Sequence, residues 1–73
     1  MDIDIKGSRF DQLKQMHHII LNINNEDMCA DWMMLLGSEP CDADFKYIAG
    51  NDGYYNECSN LFADLVTDVG YWH

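Results

Sequence analysis

The sequence predicts an all-α fold: a compact bundle of three longer helices and one short helix, with a short extended N-terminal arm. Three observations predict it. Apolar residues recur at spacings of three and four in three separate segments. Each of these segments follows a Ser, Asn or Asp and is closed by an Asn or a Gly. The stretches between them are a few residues long, which makes neighbouring helices antiparallel or crossing.

Residues 1–7 alternate, with Ile3 and Ile5 set against Asp2, Asp4 and Lys6, and Gly7 closes the stretch. A lone strand finds no partner in so helical a chain, so an extended arm is expected. Ser8 is a good N-cap, and Asp11 stands where a capping-box acid would. Phe10, Leu13, Met16, Ile20 and Ile23 then form one apolar stripe, which Ile19 and Leu21 widen. A helix over Arg9–Ile23 follows, stopped by Asn22-Ile23-Asn24-Asn25.

Asn25 is the next N-cap, and Glu26 and Asp27 occupy a first turn, where the helix dipole favours acids. Met28, Trp32, Leu35 and Leu36 supply the core face, Asp31 stays on the polar side, and Gly37 suits a left-handed C′ position. Ser38-Glu39-Pro40-Cys41 is a loop. Pro40 either biases Glu39 away from helix or stands in a first turn capped by Ser38. Asp42 or Asp44 then caps a short helix that contains Phe45, Ile48 and Ala49 and closes at Gly50. Asn51-Asp52-Gly53 is a turn, with Asp52 as the expected N-cap. The last helix has the clearest pattern: Tyr54, Cys58, Leu61, Phe62, Leu65, Val66 and Val69. Gly70 ends it, and Tyr71-Trp72-His73 is a terminal aromatic patch.

Seventy-three residues make a single domain with a small core. A hydrophobic fraction of 48% and nine aromatic residues set it apart from disordered acidic chains. No apolar run is long enough to span a membrane. Asp2-Ile3-Asp4 is acidic where a signal peptide carries its basic region. Cys29, Cys41 and Cys58 are odd in number and lack CxxC spacing, so they read as reduced, buried thiols of a cytoplasmic protein.

Charge is the most informative functional feature. The net charge is −9, and from Gln15 onward the chain has ten acidic residues and one basic residue, Lys46. On the last helix Glu57, Asp64 and Asp68 are spaced by seven and four residues and share a face, without a lysine four residues away. They span about 16 Å at 1.5 Å per residue. Glu26, Asp27 and Asp31 add to them from the second helix, and Glu39, Asp42, Asp44 and Asp52 from the segment between. Such a body selects against nucleic acid and for basic protein surfaces. A globule of this length is about 29 Å across, which in duplex DNA corresponds to about 17 phosphates. Ten acids are comparable with one face of that duplex if several segments share the face. The competing reading is a solvated surface kept for solubility, although such helical faces usually mix both signs.

Other chemistry is weakly signalled. His17-His18 are adjacent, so their rings point ~100° apart and chelate one metal poorly. His17 is expected to flank the apolar stripe, partly buried and hydrogen-bonded. Asp42-Ala43-Asp44 and Asn51-Asp52-Gly53 share fragments with a calcium loop but lack its glycine and its final glutamate. Ser8, Ser38 and Ser59 have no catalytic motif around them, and there is no Gly-rich phosphate loop. The expectation is a binding protein without metal, cofactor or catalysis. Met33, Tyr55, Tyr71 and Trp72 are candidates for exposure, and Tyr55 and Trp72 for interface anchors.

In size and charge the chain resembles the small acidic inhibitors encoded by phages and mobile elements, including anti-CRISPR proteins and other DNA mimics. The resemblance rests on Glu26, Asp27, Asp31, Glu39, Asp42, Asp44, Asp52, Glu57, Asp64 and Asp68, and on no motif. It implies a protein that blocks a nuclease or another nucleic-acid-binding partner by occupying its basic groove. The alternative is a helical interaction module or homodimer joined through exposed aromatics.

Overall fold

The computed structural model describes residues 7–37 and 39–70. The expected extended arm over residues 1–6 and the Tyr71-Trp72-His73 patch lie outside them. Four helices make up the described chain: α1 (Arg9–Ile23), α2 (Glu26–Leu36), α3 (Asp42–Ala49) and α4 (Asp52–Asp68). No strand is present among the described residues.

Local chemistry sets each boundary. The Ser8 hydroxyl accepts from the Asp11 N–H, and Asn25 and Asn51 accept from the N–H groups of Met28 and Tyr54. Each satisfies a backbone donor that has no partner within its helix. α1 ends on Asn24 in the left-handed region, at φ 55° and ψ 39°. Asn is the residue other than Gly that takes this cap with least strain.

Three expected caps shift. Cys41, not Asp42 or Asp44, caps α3. In that position its thiol is exposed and not buried as expected, while Cys29 is half-buried and Cys58 alone is enclosed. Asp44 sits in the first turn and reaches back to accept the Cys41 N–H at 2.9 Å, the reciprocal half of a capping box. Asn51 rather than Asp52 caps α4, because its amide oxygen can reach the Tyr54 N–H from an extended backbone. Gly37 has a positive φ of 90°, but its ψ of 166° is extended and not left-handed helical. That region is almost confined to glycine, and the Gly37 N–H still closes α2 on the Met33 carbonyl at 2.8 Å.

The core is one cluster: Leu13, Met16 and Ile20 from α1; Met28, Trp32 and Leu36 from α2; Phe45 and Ile48 from α3; Cys58, Phe62, Leu65 and Val66 from α4. Trp32 is its largest fully buried side chain. Its ring meets Phe62 edge-on at 6.2 Å, and its Nε1–H donates to His17 Nδ1 at 3.1 Å. A buried indole N–H needs such a partner, so His17 completes the core as an acceptor. Burial, and secondarily the neighbouring His18, hold the His17 pKa below its ordinary 6.5. The Cys58 thiol, fully enclosed, is pushed up to about 11 by burial first and Glu57 second. Leu21 leaves the expected stripe and is 40% exposed, because it lies ~100° around the helix from Ile20.

Side-chain contacts fix the helix directions. His17 meets Trp32 and Cys29 donates to the Ile20 carbonyl, so α1 and α2 run antiparallel. The Tyr54 hydroxyl donates to the Leu35 carbonyl while Trp32 meets Phe62, so α2 and α4 are also antiparallel. Arg9 pairs with Asp52 and Tyr55 donates to Gln12, so α1 and α4 run parallel. α3 lies across the N-terminal half of α1, where Phe45 meets both Phe10 and His17. The described body measures 30 × 24 × 19 Å.

A candidate acidic protein-binding face

These directions give the bundle two unlike ends. One gathers the N-termini of α1 and α4 and the C-terminus of α2, with α3 across them. The other gathers the C-termini of α1 and α4 and the N-terminus of α2.

All three cations whose contacts are described stand at the first end, around Phe10. Arg9 pairs with Asp52 and lies over the Tyr55 ring, 4.7 Å from its centroid. Lys14 pairs with Asp42 at 3.5 Å and lies over Phe10, and Lys46 approaches the same ring at 5.8 Å. Asp44 is engaged by the Cys41 N–H and thiol, which hold its carboxyl below the usual carboxylate range. The end is charge-mixed, and most of its acids have a local structural task.

The second end differs in kind. It carries Glu26, Asp27 and Asp31 on α2 and Asp64 and Asp68 on α4, all exposed. Among the described residues no cation lies within salt-bridge distance of any of them. Glu26 and Asp27 suit the positive N-terminus of α2. Asp64 and Asp68 do the reverse. They occupy the last two turns of α4, where the dipole favours cations, and the last turn has no basic residue. The last turn of α1 has none either. Two negative helix termini and five carboxylates therefore share one end.

Five of the acids expected to form a binding face thus stand in the same half of the bundle. Glu57 is exposed further back along α4, toward the mixed end. Asp42 and Asp44 lie at the mixed end itself, tied to Lys14 and Cys41. Tyr55, expected as an exposed anchor, is half-buried: Arg9 covers its ring and Gln12 accepts from its hydroxyl. Trp72 lies outside the described residues.

An open groove at the acidic end was not anticipated. It is lined by Leu21, Asn24, Glu26, Cys29, Ala30 and Met33. Its sequence signal was the angular offset of Leu21 from the α1 stripe. Met34 at 85% and Tyr47 at 66% exposure are the most exposed large apolar side chains described. Among the described residues no group of three or more His, Cys, Asp or Glu side chains could hold a metal ion, and no helix is long and apolar enough to cross a membrane. Comparison with protein-family models, curated proteins and solved structures finds no match to this chain.

Proposed function

We propose that this protein is a small acidic inhibitor that docks its all-acidic end on the basic groove of a nucleic-acid-binding protein, such as a CRISPR nuclease. The observation that supports this reading is the segregation of charge. Five carboxylates with no described cation beside them lie toward one end, two of them against the helix dipole. Solubility alone needs no such arrangement, since charge spread over the surface serves it as well. The protein works by binding, in the cytoplasm, without touching nucleic acid itself. Its carboxylates take the place of phosphates along a short stretch of the partner's groove.

The test is capture of partners from the native cell lysate, after nuclease treatment, with the unaltered chain and with Asp64→Lys/Asp68→Lys. The unaltered chain should retain a nucleic-acid-binding protein that elutes at moderate salt and is displaced by DNA or RNA. The doubly reversed chain should lose it. Retention of the same partner by both chains would remove the acidic end from the interface.

A further inference from the structure

We propose that the groove between the C-terminal turn of α1 and the outer face of α2 receives a basic amphipathic helix of the partner protein. This inference rests on the reading above and names the element that the acidic end recognises. The groove encloses about 640 Å³. Glu26, Cys29, Ala30 and Met33 recur at three and four residues, so a single face of α2 forms one wall. That wall runs for about 10 Å, close to two helical turns. Leu21 and Asn24 form the other wall.

The surface is amphipathic in a specific way. Leu21, Ala30 and Met33 give an apolar floor, and Met33 adapts to varied shapes because its thioether chain is unbranched. Glu26 lines the groove, and Asp27 and Asp31 lie further round α2, beyond Ala30. The C-terminal carbonyls of α1 add negative potential at the same place, where Glu26 offsets the positive N-terminus of α2.

Charge complementarity selects the occupant. A second copy seated groove to groove would bring Glu26 toward its own equivalent. A neutral apolar helix would desolvate the carboxylates and leave them unpaired. A helix with an apolar stripe flanked by Lys or Arg satisfies both features: its stripe covers the floor and its cations reach the rim.

The probes are two 14-residue peptides of identical leucine and lysine content, one with every leucine on one helical face and the other with the leucines scattered. Each is titrated into the full chain labelled at its methionine methyls. The amphipathic peptide should shift the Met33 methyl, leave the core Met16 methyl in place, and bind at least about tenfold tighter than its isomer. Ala30→Gln, which fills the groove without changing charge, should weaken it about tenfold. Met33→Gln is the second variant, and circular dichroism checks that both remain helical.

Equal affinity for the two peptides, or unchanged affinity in both variants, would overturn the groove as the recognition site. Acidic docking would survive that result, because it is judged separately by charge reversal at Asp64 and Asp68. Absence of peptide binding at low salt would also overturn the groove. A concentration-dependent Met33 shift without peptide would replace the partner helix by a second copy.

Discussion

The two ends of this bundle are built from the same helices and spend charge differently. At the mixed end every described cation has an assignment: Arg9 to Asp52 and Tyr55, Lys14 to Asp42 and Phe10, Lys46 to Phe10. Charges there help hold α1, α3 and α4 together. At the acidic end the carboxylates of α4 form no ion pair among the described residues and oppose the helix terminus they sit near. One end uses electrostatics for cohesion, and the other tolerates an electrostatic cost. In a domain with so small a core, that contrast is what supports the proposal that the acidic end docks a partner.

The comparison requires one rigid core joining both ends, and Trp32 is its keystone. Trp32→Ala should cost about 3–5 kcal/mol, the range for emptying a buried aromatic site. A core of this size is worth about that much in total, so the variant should lose its cooperative melting transition. Retention of a sharp transition at nearly unchanged temperature in circular dichroism would mean that Trp32 is not what joins the two ends.

Mutations of opposite sign sharpen the contrast next. Asp64→Lys/Asp68→Lys should raise stability by about 0.5–2 kcal/mol, as cations replace anions near a helix C-terminus. Arg9→Ala should lower it by about 0.5–1.5 kcal/mol, through an exposed ion pair and a cation–π contact. Denaturant titration of both variants decides the matter. If reversal at the acidic end destabilises the fold, its carboxylates have a structural role after all.

The smallest effect expected is one of pH. His17 takes up a proton in the unfolded chain near 6.5, but only at lower pH when folded. Its contribution is therefore complete above 6.5 and is lost as the pH falls through the window below, because the unfolded state then binds more protons. Protonation also removes the Nδ1 lone pair that accepts from Trp32. Melting temperature should decline from pH 7 toward pH 5, and His17→Gln should flatten that decline. An equal slope in both proteins would assign it to another group.

Most of the fold was legible in the sequence because its signals are local. The α1 limits and the Asn25 cap of α2 follow from cap residues and apolar spacing within a few positions. The misplaced caps of α3 and α4 fail for a related reason. Where Asp, Asn and Cys stand side by side, only the backbone conformation decides which side chain reaches the free N–H. The face was harder to read. Spacing could join Glu57, Asp64 and Asp68 on one helix, but placing Asp64 and Asp68 toward the same end as Glu26 and Asp27, and Glu57 nearer the other, needs the helix directions. Those directions come from contacts such as Trp32 with Phe62, distant in sequence. Tyr55 illustrates the same limit, since its cover, Arg9 and Gln12, comes from the far end of the chain.

The length of α4 has a consequence for what a partner senses. Seventeen helical residues separate the two ends by about 25 Å. Mobile salt ions damp a field over about 8 Å at physiological ionic strength. The ends are thus some three damping lengths apart, and neither perceives the other's charge. The total of −9 is a quantity that no binding surface measures. Lysines added around Arg9 until the chain was neutral would leave the field beyond Asp64 and Asp68 as it is now.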